Sequence, residues 1–569
     1  MDPSIDKTTA VTNTELHDDE ASTPPLQAGV QQIEAVTTAW TTTALITAYV
    51  LIWLTYFVEG MLLTTSIALL PYVTSAYSAH SLTPTVSVVS SVVGACTNFT
   101  IAKVLDVFGR PHGYLLCIIT ATIGLVMMAA STSVEAYAAA QVFNTVGNTG
   151  LQYSLSVFVA DTSSLRNRGL VQAIAYSPNL ITCWLGGPIS SAFLSSSGGW
   201  PWAFGMFAIM VPAVTLPLWA LLQWHQIKAR KIGLVAEQIS SGRTVSQTLV
   251  YYARQFDAVG LVLLTAGVAL FLLPFNLYTL QAQGWKSPLI ISLLVVGLVM
   301  ISCFVIWERS FASTGTSFLP FSLLTNRTVV GACFLSATLY FNYYCWFSYL
   351  SSFLQVVNEL DVTEASYVMQ VYPVVSVIFG LVAGYLIHRT GRYKMICLYG
   401  GIPLAVLGTG LMMYFRKPSH IAYIIMCQVF LAISAGFAMI GDEIAMLAAV
   451  SHQHIAVAIA TLGFFGNMGG AIGLTVVAAI WQNSFFTSLT KYLPAEEIPN
   501  IETIYGDLAT QLSYPVGSVA RTAIQQAYGD GQRDNLIAGT AVWVAGIAAV
   551  LVLRDLKLSD IQQVRGHVF

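Results

Sequence analysis

Three carboxylates stand out because the apolar stretches around them hold so little charge. Glu59, in "LTYFVEGMLL", is the single acidic or basic residue within the long apolar stretches of the chain. An ionised carboxylate at membrane depth costs about 2.5–3.5 kcal/mol or more, so we expect Glu59 to exchange a proton near neutral pH. It either couples proton movement to another process or is a structural carboxyl, hydrogen-bonded between helices or near the outer interface.

A second acidic pair, Asp442 and Glu443, ends another apolar stretch in "AMIGDEIAML". The two side chains either face an internal vestibule or sit in water at the end of a helix. Together with Glu59 they are the candidate proton-coupling residues.

Aromatic residues form a second candidate group. In "YFNYYCWFSYL", Tyr340, Tyr344 and Phe347 recur at i, i+4 and i+7 and therefore share a helix face. Tyrosine combines apolar area with a polar tip, which suits a bulky, partly polar, weakly charged ligand. The alternative is helix packing or an interfacial aromatic belt. We assign these three residues and Tyr56 to a candidate substrate-binding set.

A glycine-broken basic corner occurs twice between apolar stretches. The first copy contains Asp106, Gly109 and Arg110, in "LDVFGRPHGY", and the second contains Gly391 and Arg392, in "LIHRTGRYKM". Glycine permits a tight reversal between helices, and arginine pairs with a carboxylate or with the negative end of a helix. The corner is therefore either a contact point between helices, repeated at equivalent places, or a basic turn that only fixes topology.

The composition places the chain in a bilayer. The 569 residues are 56% hydrophobic and 9% charged, with a mean hydropathy of +0.69, whereas soluble domains carry about 25% charged residues. A bilayer core needs roughly 20 apolar residues per helix, and fourteen stretches qualify: about 43–67, 82–102, 113–131, 137–160, 170–194, 202–223, 258–277, 288–307, 329–353, 366–387, 395–414, 421–441, 455–482 and 536–553. Because backbone groups must be satisfied within lipid, we predict an all-α polytopic membrane protein.

Lysine and arginine give the orientation of this bundle. With the N-terminus inside, 18 of the 24 basic residues lie in inner segments and six in outer loops, which predicts that both termini are cytosolic. The predicted organisation is a disordered cytosolic tail (1–42), a six-helix bundle (43–223), a basic linker with two inserted helices (224–328), helices 9–13 (329–482), a large outer loop (483–535), and the last helix with its cytosolic tail (536–569).

Several function classes are disfavoured by what the sequence lacks. No GxxxxGK[ST] occurs, so ATP is not the expected energy source, and no basic patch suggests nucleic acid. All nine histidines lie outside the predicted spans, which argues against a membrane haem protein or an integral-membrane enzyme. All eight cysteines lie in apolar stretches without a CxxC, which disfavours disulfides and thiolate metal sites. We expect neither a cofactor nor a bound metal, and an ion gradient as the driving force.

The repeated corner resembles the loop signature of the major facilitator superfamily, roughly G-x-L-x-D-x-x-G-R. The first copy has Ala102 in place of the leading glycine, while the second keeps Gly384 but has His388 at the Asp position. The resemblance implies two six-helix halves, here with two inserted helices. It also implies a gating role for Asp106, Gly109, Arg110, Gly384, Gly391 and Arg392.

Within that superfamily the chain resembles the fungal siderophore–iron:proton symporters. The likeness rests on "KVLDVFGRPHGY", "QVFNTVGNTGLQYSLSVFVADTSSLRNRGL", "LLPFNLY…GW" and "HIAVAIATLGFFGNMGGAIG", over roughly residues 43–555. It implies proton-coupled import of a ferric siderophore, most simply at the plasma membrane and by a monomer, with an endosomal or vacuolar membrane as the alternative site. It also implies that the outer-loop residues Tyr505, Tyr514 and Tyr528 contact substrate, although they could equally belong to a solvated loop.

The alternative function on the same fold is proton-coupled export or exchange of drugs or glutathione. Drug antiporters of the superfamily usually carry an arginine four residues before a glycine in span 4, and Phe143 stands four before Gly147 here. Their glycine-spaced span 5 motif is reduced to "WLGGPISS". Both departures favour import.

Overall fold

The fold is a bundle of helices, seen here in a computed structural model. It describes residues 42–77, 83–162, 171, 174–231, 245–255, 257–278, 281, 283–310, 325–416, 420–450 and 455–556, and these contain no strand. The predicted N-terminal tail, much of the predicted linker and the last residues of the predicted C-terminal tail lie outside the described residues.

Twenty-one helices, numbered here in chain order, make up most of the described part of the chain. They are α1 Thr42–Ala76, α2 Thr83–Phe108, α3 Arg110–Ala129, α4 Val134–Thr162, α5 Asn179–Thr182, α6 Gly186–Ser195, α7 Gly199–Lys231, α8 Val245–Gln255, α9 Ala258–Leu272, α10 Pro274–Leu277, α11 Pro288–Ser310, α12 Arg327–Phe347, α13 Leu350–Val357, α14 Val362–Thr390, α15 Lys394–Tyr414, α16 Ile421–Ala448, α17 Ile455–Tyr492, α18 Ile501–Gly506, α19 Leu508–Ser513, α20 Val519–Ala541 and α21 Trp543–Val552.

Ten helices of the described chain are long and apolar enough to cross a membrane. The other predicted spans fall on α4, on the pair α5–α6, on α9 with α10, and on α12. α4 and α12 are long enough but carry more polar residues, α5 and α6 are separated by a turn, and α9 is a short apolar helix. The all-helical architecture is confirmed, whereas the count of fourteen spans stays a prediction.

Two helical halves are joined along two helix pairs. In the first half, α4 packs on both α2 and α3, and α7 packs on both α1 and α3. In the second half, α12 packs on α17, and α14 packs on α16. The halves meet where α2 packs on α17 and α6 packs on α14. α9 and α11 pack on each other, and α9 touches α2. Leu272 at the end of α9 also packs on Ala471 and Leu474 of α17. The inserted pair therefore lies beside the contact between α2 and α17 without separating the two halves.

The region predicted as a large outer loop is largely helical. α17 continues to Tyr492 and α20 begins at Val519, so the segment between these two long helices is residues 493–518. Hydropathy missed α20 because its buried face is polar. Gln525 and Gln532, for example, donate hydrogen bonds to the backbone carbonyls of Val356 and Trp346 at 3.1 and 3.0 Å. We call the end of the bundle that carries residues 493–518 the loop end.

Both glycine-broken corners are helix boundaries that need glycine. Gly109 separates α2 from α3 with φ +87°, and Gly391 caps α14 with φ +67°. L-residues with a side chain rarely adopt such φ values. The sequence therefore predicted both turns correctly.

Candidate functional site

Glu59 lies buried inside the first half. Its side chain is 5% exposed, near Gln152 of α4 and near Tyr114 and Cys117 of α3. Gln152 is its polar neighbour and is within reach as a donor, although no contact to either Glu59 oxygen meets regular hydrogen-bond geometry in the described part of the chain. A buried carboxylate with so few partners is costly when ionised. The position therefore makes Glu59 the candidate for proton exchange in the first half.

Asp442 lies in a related position in the second half. α16 continues to Ala448, so Asp442 sits within the helix and not at its end. It is 4% exposed and close to Cys333 of α12 and Cys397 of α15. Glu443, in the same turn, is exposed. Glu59 and Asp442 thus each lie where the first, third and fourth helices of one half meet.

Tyrosines lie between these two buried carboxyls. The ring of Tyr56, one turn before Glu59, is 4.6 Å from the ring of Tyr176, whose hydroxyl is 3.3 Å from the Ser156 hydroxyl. Tyr176 is within electrostatic reach of Tyr340 in the second half, and Tyr340 is within reach of Asp442 and Glu443. The structure therefore brings Tyr56, Tyr340 and both carboxyl positions toward one region between the halves.

The predicted aromatic face of α12 divides into two environments. Tyr340 and Tyr344 lie over Gly466 and Gly470 of α17, where an added Cβ would come within 3.0 Å of the Tyr340 ring and 2.8 Å of the Tyr344 ring. Phe347 is 9% exposed and stacks on Tyr343 at 4.6 Å. The glycines of α17 therefore make room for the tyrosines.

The aromatic cluster extends to α14 through residues that the sequence pattern did not single out. Tyr372 lies 5.4 Å from Tyr343 and 5.0 Å from Trp346. Tyr176 and Gln152 were also missed, because their neighbours Tyr56 and Glu59 come from α1, far away in the chain. Tyr343 could have been found as the i+3 neighbour of Tyr340 on the same side of the helix.

The three predicted outer-loop tyrosines lie in different places. Tyr514 donates a 2.7 Å hydrogen bond to Glu497 Oε2, and Tyr505 is half-buried against Phe485 and Phe486. Tyr528 is instead fully buried in α20 and donates to Gln511 Oε1 at 2.7 Å. The prediction that placed Tyr528 in a loop open to substrate is corrected: its hydroxyl is part of the protein interior.

The second basic corner holds the end of the last helix. Arg392 forms a 3.1 Å ion pair with Asp555, and Lys394 donates to the carbonyls of Leu551 and Leu553 at 2.9 and 2.6 Å. A cation at these carbonyls complements the negative end of α21.

The other predicted gating residues occupy the corners as follows. In the first corner Arg110 begins α3, while the side chain of Asp106 lies outside the described residues. Gly384 lies within α14, with no atom within 4 Å of an added Cβ.

Among the described residues, His, Cys, Asp and Glu do not gather in groups of three that could hold a metal.

Two apolar helical halves, each with a buried carboxyl, and an aromatic region at their junction define a multi-pass membrane transporter. The family model of the Major Facilitator Superfamily matches residues 52–339. A solved structure of the peptide transporter POT in complex with sulfate has a TM-score of 0.55, 14% identity, and covers 89% of this chain and 95% of its own. This likeness shows the fold.

Curated proteins are similar along nearly the whole chain. MFS siderochrome iron transporter 1 of Ajellomyces capsulatus is 47% identical, over 95% of this chain and 92% of the relative. MFS siderochrome iron transporter D of Aspergillus fumigatus is 42% identical, over 95% and 90%. The chain therefore belongs to the Major Facilitator Superfamily and, within it, to the family of the fungal siderochrome iron transporters.

Proposed function

We propose that this protein imports ferric siderophore chelates together with protons, by alternating access between its two halves. The observation that carries the proposal is the likeness, at up to 47% identity over 95% of the chain, to relatives named siderochrome iron transporters. The chelate is the cargo and crosses chemically unchanged.

The aromatic region between the halves is suited to such a cargo. Tyr340 and Tyr344 present ring faces beside the glycines of α17, and Tyr56 lies across from them in the first half. An iron chelate is bulky and partly polar, so it needs apolar area and a few hydroxyl partners more than a set of metal ligands. We therefore assign substrate contact to these tyrosines, with Phe347 as their packing support.

Proton coupling is assigned to the buried carboxyls. Glu59 and Asp442 lie at related places in the two halves, and Glu443 is exposed in the turn of Asp442. A carboxyl that is protonated when buried and ionised when reached by water can load a proton on one side and release it on the other. Opening of the halves to either side would provide that change.

The proposed topology has fourteen spans with both termini in the cytosol. The loop end then faces outward, and residues 493–518 with Tyr505 and Tyr514 lie outside the membrane. We place the protein, as a monomer, in the plasma membrane, where a substrate from the medium would first be met. The basic corners then lie on the cytosolic side, where gating between the halves is expected of Asp106, Arg110 and Arg392.

Uptake of radiolabelled iron by an uptake-deficient cell expressing the chain tests this function. Iron bound to a siderophore should accumulate, and accumulation should collapse when a protonophore removes the proton gradient. Free iron at the same concentration is the control and should not be taken up. Accumulation of glutathione or a drug, without any chelate, would replace import by the exchanger alternative.

A further inference from the structure

Two hydrogen bonds join the halves at the loop end. The hydroxyl of Tyr72 on α1 donates to Gln355 Oε1 on α13, and one turn later Ser75 Oγ accepts from the backbone N–H of Leu508, at 3.2 Å. α1 belongs to the first half, whereas α13 and α19 belong to the second. We call α13, α18 and α19 together the lid.

The lid is tied to the second half by a buried arginine. Arg521 of α20 is 3% exposed and donates to the backbone carbonyl of Gln511 in α19, and to that of Gln355 in α13 at 3.3 Å. The side chain of Gln511 is held in turn by the Tyr528 hydroxyl at 2.7 Å. One guanidinium therefore joins the two helices of the lid that touch α1.

This arrangement is costly to break. Arg521 has no carboxylate within ion-pair distance among the described residues, so the two carbonyl dipoles and the more distant Glu359 carboxylate stabilise its buried charge. Removing the carbonyl partners would leave a buried cation without those hydrogen bonds. The bonds of Tyr72 and Ser75 to the lid, by contrast, are neutral, and on the α1 side they come from half-buried residues. The contacts across the halves are thus the ones that can open and close.

We propose that Arg521 is a positioning residue that makes the lid one rigid unit, and that this unit closes the loop end by docking on Tyr72 and Ser75. Opening of the loop end breaks the two bonds to α1 and leaves the bonds of Arg521 intact. The inference rests on the proposed alternating access and adds to it the part that moves and the residue that holds it in shape.

A reversible cross-link tests the docking. Ser75→Cys with Leu508→Cys, in a Cys303→Ser background that removes the one exposed native thiol, should form a disulfide on oxidation. Uptake should then fall at least tenfold and return on reduction, because the loop end is locked shut. A disulfide that forms without loss of uptake, or a pair that does not cross-link, would overturn the proposal.

A matched control exists within the second half. The backbone N–H of Arg554 donates to Thr328 Oγ1 at 3.3 Å, the same kind of bond as Leu508 to Ser75 but inside one half. Thr328→Cys with Arg554→Cys should cross-link and leave uptake within twofold. If the wild-type chain transports a solute other than a chelate, uptake of that solute is measured for both cross-linked pairs instead. The proposed substrate is then refuted, while the docking of the lid is still tested.

The role of Arg521 is tested by access to the docking site. In Ser75→Cys protein, Arg521→Gln should raise the rate of alkylation by a membrane-impermeant thiol reagent several-fold, because the lid no longer keeps its shape. Tyr72→Phe, which removes one docking bond without disturbing the fold, should raise it as well. Gln532→Ala removes a bond of α20 to the Trp346 carbonyl of α12, outside the lid, and should leave the rate within twofold. Equal rates in Ser75→Cys protein alone and in Ser75→Cys protein that also carries Arg521→Gln or Tyr72→Phe would refute the positioning role.

Discussion

Glu59 is a buried carboxyl with a single polar neighbour. The side chain is 5% exposed, and Gln152 is within reach as a donor although no contact to either oxygen meets regular hydrogen-bond geometry in the described chain. A structural carboxyl buried between helices normally accepts several hydrogen bonds. Its sparse bonding fits the proposed role in proton exchange.

Glu59→Gln should abolish proton-driven accumulation while the protein stays folded and in the membrane. A proton gains about 2.3 kcal/mol across 100 mV and about 1.4 kcal/mol per pH unit, which together sustain a gradient of a few hundredfold at about 1.4 kcal/mol per tenfold. The variant should bring the inside-to-outside ratio of labelled chelate close to one. Exchange of labelled for unlabelled chelate, which needs no net proton movement, serves as the control and should persist. Unchanged accumulation would remove Glu59 from the mechanism.

Tyr344→Ala should weaken chelate binding more than it weakens the fold. The glycine at position 470 gives the Tyr344 ring room against α17, and an aromatic contact is worth about 0.5–1.5 kcal/mol beyond its buried area. The KM for uptake should therefore rise roughly two- to tenfold with little change in the amount of protein at the membrane. If expression falls as much as affinity, Tyr344 is a packing residue.

Single residues could be predicted from the sequence where their own chemistry set them apart. Glu59 was found because no other charge shares its apolar stretch. Asp442 was predicted at a helix end because the apolar stretch 421–441 stops just before it, yet α16 continues to Ala448. Tyr176 and Gln355 could not be found, because their partners come from helices far away in the chain.

Among the elements, α17 depends on glycines that let α12 approach. An added Cβ at Gly469 would lie 2.2 Å from the backbone oxygen of Ala337, and a backbone atom cannot move aside as a flexible side chain does. Close contact at small residues is a common way for helices to associate in lipid. The glycine-rich segment "GNMGG" is therefore a packing surface for α12.

Gly469→Ala should lower the free energy of unfolding by about 1–3 kcal/mol, the usual cost of overpacking. Gly410→Ala in α15 is the matched control, since no atom lies within 4 Å of an added Cβ there. Thermal unfolding midpoints in detergent should fall for the first variant and not for the second. A Gly469→Ala midpoint equal to that of wild type would contradict the close approach.

The segment 493–518 contains a pH-sensitive contact. Hydrogen bonds from Tyr514 and then from Asn500 lower the pKa of the half-buried Glu497 carboxyl. Burial, followed by the contact with Glu497, raises the pKa of Tyr514 to about 12. Because the folded-state pKa of Glu497 is lowered, its ionised form stabilises the segment, and this stabilisation is complete at pH values above the ordinary glutamate pKa of about 4.3. The stabilisation is lost as the pH falls below that value and through the lowered folded-state pKa. Limited proteolysis should therefore cut this segment faster at pH 4 than at pH 7. In Tyr514→Phe the segment should already be cut faster at pH 7, and a pH-independent rate in wild type would be inconsistent with the contact.

Helices and their boundaries could be predicted from the sequence where an apolar stretch ended at a residue that favours a turn. Gly109 and Gly391 marked both corners because the backbone there adopts positive φ. α20 was read as loop because residues such as Gln525 and Gln532 look polar in sequence. Their amides bind carbonyls of α12 and α13, a pairing that no local pattern reveals.

At the scale of the whole molecule, the two halves repeat one plan with one buried carboxyl each. Glu59 and Asp442 lie at related helix junctions, and Tyr56, Tyr176 and Tyr340 lie between them. In the proposed alternating access the halves move relative to each other, so both carboxyls would meet a changed environment in the same movement. Such a shared movement would couple protons to a bulky cargo without any contact between cargo and carboxyl.

Fourteen spans and cytosolic termini predict which loops face which side. The two basic corners, the segment 232–244 and the segment 311–324 should all lie inside, and residues 493–500 outside. Single cysteines at loop positions in each segment, introduced in the Cys303→Ser background, should react with an impermeant reagent in intact cells only in the last of them. All should react after permeabilisation, which controls for buried thiols. The decisive comparison is between the corners at Gly109 and Gly391, because an even number of spans must separate equivalent turns of two like halves. If those corners faced opposite sides, the two-halved plan would fail, and with it the relation between Glu59 and Asp442 on which the coupling rests.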